Sequence, residues 1–225
     1  MMESALLVGS TGAVGSQLLR ILQQERPYEQ VTVLTRTPLG QDLAAGFTNL
    51  VIPDFSKLEE HAAALAADDV FCCLGTTIKK AGNRDAFKAV DHDMVLDLAR
   101  LTQKQGAQRF FCVSAMGANP QSRIFYNQVK GQTEENLKAL NLSSLFLFRP
   151  SLLIGPRQDF RPGEQIARIL FPVSLILTLG LSWFFRPIQT ETVARAMLAQ
   201  ATNTASSVGT RILSSGKMQK FLHLS

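Results

Sequence analysis

The strongest constraint on the fold comes from three glycines, Gly9, Gly12 and Gly15, placed between an apolar run at residues 5–8 and a stretch in which Ala13, Val14, Leu18, Leu19 and Leu22 recur at helical spacing. A strand that enters a helix through a glycine-rich turn is the setting in which such a motif signals dinucleotide binding. Gly9 lets the chain leave the strand tightly, and Gly12 puts no side chain between the backbone and a diphosphate. Gly15 lets the helix lie close to the strand, while the free N–H groups and positive dipole end of the helix face the anion. Ser10, Thr11, Ala13 and Val14 complete the cradle. The spacing is G-x-x-G-x-x-G, not the G-x-G-x-x-G of ordinary dinucleotide-binding dehydrogenases.

Beyond this loop, β-type apolar runs at 31–35, 49–52, 70–74, 109–114 and 145–148 alternate with helical patterns near 13–25, 56–67, 85–105 and 124–140. That alternation predicts an α/β protein with a doubly wound parallel sheet. A chain of 225 residues with 46% hydrophobic and 18% charged side chains is expected to form one globular domain, 1–225. Residues 151–187 would serve as its substrate-pocket region, followed by a helix at 190–202 and a strand at 210–214. Charge is uneven: residues 136–225 hold ten Lys/Arg against three Asp/Glu, which favours an anionic ligand. No basic run or nucleic-acid module accompanies it, so nucleic acid is not an expected partner. Cys72, Cys73 and Cys112 lie in apolar runs, and no basic region precedes the first apolar run. Together these predict reduced thiols, no secretory signal and a cytoplasmic protein. His61, His92 and His223 are scattered, and consecutive Asp91-His92-Asp93 cannot converge on one metal from a helix.

In an open α/β sheet ligands bind beyond the carboxyl ends of the strands, so residues just after each strand are the candidates. Arg36 follows the second strand, where an acid would select NAD(H) and an arginine suits a 2′-phosphate; NADP(H) is therefore expected ahead of NAD(H). A solvated surface arginine is the other reading. Asp54 has two readings as well, a contact to the adenine and a helix cap. Leu74, Gly75 and Thr76 follow the fourth strand, where Gly75 would let the backbone approach a ribose. Ser114 ends the fifth strand, and Tyr126 and Lys130 are spaced i, i+4, on one face of the following helix. A phenol is too weak an acid to work unaided near neutrality, and a neighbouring ammonium lowers its pKa. Tyr126 is thus the candidate acid/base, Lys130 its activator and Ser114 the holder of the substrate oxygen.

The motifs Gly9-Ser-Thr-Gly12-Ala-Val-Gly15, Cys72-Cys-Leu-Gly-Thr-Thr77, Val113-Ser-Ala-Met-Gly-Ala118, Tyr126-Asn-Gln-Val-Lys130-Gly and Arg149-Pro-Ser-Leu-Leu-Ile-Gly-Pro-Arg157 occur in that order. Together they resemble atypical short-chain dehydrogenases, most closely the Tat-interacting-protein-like oxidoreductases. The resemblance implies a Rossmann fold, NADP(H) and a Ser-Tyr-Lys site at Ser114, Tyr126 and Lys130. It also places Pro150 and Leu153, in the segment after the sixth strand, beneath the nicotinamide. Asp91 departs from the pattern, since many relatives carry there an asparagine that helps relay protons. The family is known in part for regulatory roles. Two functions follow: an NADP(H)-dependent oxidoreductase for a small carbonyl or alcohol, and an NADP(H)-binding regulatory or interaction protein with little turnover. The uncharged stretch 169–185, bracketed by Arg168 and Arg186, is read as a pocket wall, a contact in a homo-oligomer or a membrane-surface contact.

Overall fold

The computed structural model describes residues 2–155, 187–203 and 208–223. Seven parallel strands form one sheet in the order β3-β2-β1-β4-β5-β6-β9. The strands are β1 (Met2–Val8), β2 (Tyr28–Thr35), β3 (Phe47–Val51), β4 (Asp69–Cys72), β5 (Arg109–Val113), β6 (Ser144–Arg149) and β9 (Gly209–Ser214). A two-stranded ribbon, β7 (Leu153–Ile154) with β8 (Ile188–Gln189), stands beside the sheet. The expected doubly wound architecture is present, with the order reversing between β1 and β4.

Helices cover both faces, so the central strands read as continuous apolar runs rather than alternating ones. Leu7, Val33, Phe71, Phe111 and Phe146 bury against α1 (Ala13–Glu25) and α6 (Thr190–Thr202). Phe71, Phe111 and Phe146 stack across three adjacent strands, with ring centroids 4.8 and 4.6 Å apart. Leu6, Val70, Phe110, Cys112 and Leu145 bury on the other face, against α4 (Met94–Lys104) and α5 (Phe125–Ala139).

Three local differences from the sequence reading have physical causes. The segment expected as a helix at 56–67 is a 3-10 helix, Phe55–Leu65, with non-helical backbone at Lys57 and His61. The helix expected at 85–105 begins as α3 (Arg84–Lys88), widens into a π turn at Ala89–Asp93 and continues as α4. One extra residue in a turn leaves the overall apolar periodicity nearly intact, so the sequence pattern conceals it. Two short helices, α2 (Ile78–Ala81) and α7 (Ser215–Gln219), were not foreseen because neither is long enough to show a period. The stretch 169–185 and most of the pocket region lie outside the described residues. Among the described residues no helix is long and apolar enough to cross a membrane.

Candidate functional site

The glycine loop is a close-packed object. Gly9 has φ +85°, and a Cβ there would sit 2.5 Å from the carbonyl oxygen of Cys73. A Cβ on Gly15 would lie 2.1 Å from Gly9 O, so the first turn of α1 rests directly on the end of β1. Gly12 differs from expectation. Its missing Cβ would face back toward Gly9 O at 3.2 Å and Cys73 O at 3.8 Å, so it serves close packing of the loop rather than opening an outward window. No side chain caps α1, and no acid occupies its first turn. Its leading amides, which have no carbonyl behind them in the helix, are therefore available to an anion. Ser10 is 3% exposed, yet its hydroxyl has no partner among the described residues. A buried unpartnered hydroxyl beside an uncapped helix start is what a diphosphate would satisfy.

The loop opens onto a groove of about 590 Å3 lined by Ser10, Thr11, Ser16, Arg20, Pro38 and Gln41. Arg36, at the end of β2, is exposed and has no charged partner among the described residues. Asp54 is equally exposed, but its carboxylate accepts hydrogen bonds from Ser56 N–H at 2.9 Å and Ser56 Oγ at 2.7 Å, capping the 3-10 helix. These bonds hold its pKa below the usual carboxylate value.

At the ends of β4 and β5 the chemistry-bearing residues converge. Tyr126, Lys130 and Glu134 follow one another at four-residue spacing on α5 and share one face. Lys130 Nζ lies 2.8 Å from Asp91 Oδ1 and 3.4 Å from the carbonyl oxygen of Val113. Thr76 N–H donates to Asp91 Oδ2 at 2.8 Å. Gly75 sits against the pair, and a Cβ there would be 3.5 Å from Asp91 Oδ1 and 4.0 Å from Lys130 Nζ. Leu74 joins this loop to Cys73, whose carbonyl touches Gly9, so the glycine cradle and the Tyr-Lys face are neighbours through a few residues. Tyr126 is half-buried, with its ring 5.7 Å from that of the buried Phe87. Gly131 allows α5 to approach, since a Cβ there would meet the Asn119 and Pro120 backbone at 2.2 Å.

Ser114 is buried, and its hydroxyl donates to Glu134 Oε1 at 2.5 Å. Glu134, 2% exposed, is also held by Arg149, whose Nε lies 2.9 Å from Oε1 and Nη2 2.5 Å from Oε2. The Ser114 proton is thereby committed, leaving its lone pairs for a ligand. Met116 N–H donates to Pro150 O at 2.9 Å, tying the end of β6 to the loop after Ser114. Leu153 stands further out, in the β7–β8 ribbon.

Burial acts on both members of the Tyr-Lys pair. It pulls the Lys130 ammonium down, but the Asp91 carboxylate, with Tyr126 and Cys112, more than reverses this and the net shift is upward. Burial pushes the Tyr126 phenol up; Lys130 pulls it down, Asp91 pushes it up, and it ends above its ordinary value.

Glu134 and Arg149 carry no role in the sequence reading. Glu134 was reachable by extending the Tyr126, Lys130 spacing one more turn. Its pairing with Arg149 was not, because it depends on how β6 lies beside β5. Asp91 was visible only as a departure, not as a partner of Lys130.

An open parallel sheet with a glycine loop at its order reversal, facing a Tyr-Lys pair, defines a Rossmann α/β protein of short-chain dehydrogenase type. The sequence comparisons agree. The NAD(P)H-binding family model matches residues 9–158. Protein HTATIP2 of Rattus norvegicus is 37% identical over 207 residues, covering 91% of this chain and 83% of that one. Protein FMP52, mitochondrial, of Debaryomyces hansenii is 31% identical over 204 residues, covering 88% of each. Among solved structures, a 3-oxoacyl-[acyl-carrier protein] reductase from Brucella melitensis in complex with NAD superposes with TM-score 0.71 at 14% identity, over 97% of this chain and 98% of that one. MoeE5 in complex with UDP-glucose and NAD gives TM-score 0.68 at 15% identity, over 99% and 82%. The chain belongs to the NAD(P)H-binding family, in its Tat-interacting-protein-like branch. The expectation of a cytoplasmic protein is overturned, since several fungal relatives are named mitochondrial.

Proposed function

We propose that the chain is an NADP(H)-dependent oxidoreductase acting on a small carbonyl or alcohol. The observation that carries this reading is the placement of Tyr126 and Lys130 on one face of α5, beside Gly75 and within a few residues of the glycine cradle. The amides at the start of α1 and the unpartnered Ser10 hydroxyl would hold the diphosphate, Arg36 a 2′-phosphate, and the Leu74-Gly75-Thr76 backbone the nicotinamide ribose. A nicotinamide cofactor supplies or accepts hydride when bound. Tyr126 exchanges the proton with the substrate oxygen and Lys130 fixes the charge around that phenol; Ser114, its proton held by Glu134, accepts from the hydroxyl of an alcohol, and turns that proton away from Glu134 to hold a carbonyl oxygen. The names of the fungal relatives support a mitochondrial setting.

Calorimetry with NADPH and NADH, repeated on Arg36→Ala, tests the cofactor choice: NADPH should bind more tightly, and Arg36→Ala should remove the preference. Equal affinities in the unaltered chain would refute it. Full turnover by Tyr126→Phe would refute the role given to the phenol. A second reading, a cofactor-binding regulatory protein with little turnover, draws on the Asp91 carboxylate against Lys130 and on the committed Ser114 proton. Tight NADPH binding without turnover across a broad carbonyl panel would favour it.

A further inference from the structure

Lys130 is not an uncompensated cation. Its ammonium, in a residue 5% exposed, meets the carboxylate of Asp91, 1% exposed, at 2.8 Å. The π turn Ala89–Asp93 directs Asp91 inward, and the turn is pinned there by Thr133 Oγ, which donates to the Asp91 carbonyl at 2.9 Å. The other Asp91 oxygen is occupied by Thr76 N–H. Among the described residues the charged and titratable groups near Lys130 and Tyr126 are few. On α5 there is Glu134, already paired with Arg149 of β6; on β5 there is Cys112, beside Cys72 of β4; from the π turn comes Asp91. The basic and acidic charges here cancel in pairs.

We propose that Asp91 is a positioning residue that anchors and neutralises Lys130, so that Tyr126 rests as an un-ionised phenol and serves the site as proton donor to a carbonyl oxygen. The inference rests on the oxidoreductase reading and deepens it by naming a positioning residue for its proton-transfer step, written here in the reductive direction. The Oη–H bond of Tyr126 breaks, the proton passes to the substrate oxygen while the carbonyl carbon takes hydride from a reduced nicotinamide, and the phenolate regains a proton from solvent. The upward displacement of the Tyr126 pKa, to which both burial and Asp91 contribute, agrees with this.

The chain holds only two tyrosines. Tyr28 is buried and donates to Asp69, and its pKa is driven up strongly, first by burial and then by that carboxylate. A phenol titration of the folded chain therefore reports Tyr126 alone. The experiment is a pH titration of the ligand-free full chain by ultraviolet phenolate absorbance and tyrosine ring-carbon NMR, with far-ultraviolet circular dichroism marking the folded range. The unaltered chain should titrate above the ordinary phenol value; titration at or below it overturns the proposal without any variant. Asp91→Asn keeps an oxygen for Thr76 N–H but removes the charge, and should lower the midpoint by about one pH unit or more, while Asp91→Glu should stay near the unaltered chain. An Asp91→Asn midpoint unchanged from the unaltered chain also overturns the proposal. Cofactor and substrate do not enter these measurements. Absence of NADPH binding or of turnover would instead count against the oxidoreductase reading itself.

Discussion

Removing either partner of the Glu134–Arg149 pair should destabilise the chain, and the two removals should be unequal. The Glu134 side chain is 2% exposed, whereas that of Arg149 is 30% exposed. Arg149→Met leaves a carboxylate in the interior with only the Ser114 hydroxyl as partner among the described residues. The penalty should thus approach about 3–5 kcal/mol, typical of a broken buried pair, or a fall in Tm of about 6–20 °C for a chain of this size. Glu134→Gln is milder. Its amide oxygen still accepts from Ser114, and the guanidinium can turn toward water, so about 1–2 kcal/mol is expected. The double variant should recover part of the Arg149→Met loss, with a coupling of about 1–3 kcal/mol. Urea unfolding of all four proteins measures the cycle. If Arg149→Met costs no more than Glu134→Gln, the account of the buried carboxylate is wrong.

Gly15→Ala would place a methyl 2.1 Å from Gly9 O; it should abolish nucleotide binding, followed by cofactor fluorescence, and cost about 1–3 kcal/mol, whereas Gly216→Ala, with open space around its Cβ, should be neutral or slightly stabilising. Tyr28→Phe should cost about 1–3 kcal/mol near neutrality through the lost bond to buried Asp69. Because the folded-state pKa of Tyr28 is raised, the phenol contributes no pH dependence below pH ~10 and destabilises the fold above it, by about 1.4 kcal/mol per pH unit. Stability curves above pH ~10 should therefore fall less steeply in Tyr28→Phe, and parallel curves would refute this. A contact with Cys72 together with burial raises the pKa of Cys112, so it should resist thiol reagents in the native chain and react more slowly than the half-buried Cys73; rapid labelling of Cys112 at neutral pH would contradict its burial.

What was legible in the sequence was whatever depends on local spacing. The seven-residue interval from Gly9 to Gly15 fixed the turn between β1 and α1, and the four-residue step from Tyr126 to Lys130 placed both on one face of α5. The apolar runs located the central strands to within a few residues. What escaped depends on contacts between segments remote in sequence. Asp91 reaches Lys130 from 39 residues away only because a π turn rotates it inward, and an extra residue in one turn barely disturbs the helical period. Glu134 meets Arg149 because β6 lies parallel to β5. Gly12 was assigned to the anion, but its role in loop packing depends on the carbonyl of Cys73, at the end of a strand 60 residues away.

The two ends of the sheet use buried charge differently, and this bears on where chemistry is possible. At the amino ends of the strands, Arg109 grips Asp69 through two bonds of 2.6 Å and donates to Ala201 O at 2.6 Å, while Tyr28 donates to the same carboxylate. Every polar atom of that carboxylate is taken by groups fixed on β2 and β5, so the cluster binds strands to α6 and has nothing left to offer a ligand. At the carboxyl ends the charges are also paired, yet each pair adjoins an unfilled capacity: the lone pairs of Ser114 beside Glu134, the Tyr126 phenol beside Lys130 and Asp91, and the unpartnered Ser10 hydroxyl at the head of α1. Pairing keeps these charges affordable in the interior, and the remaining donors and acceptors, grouped around the point where the strand order reverses, are what a nucleotide and its substrate would complete.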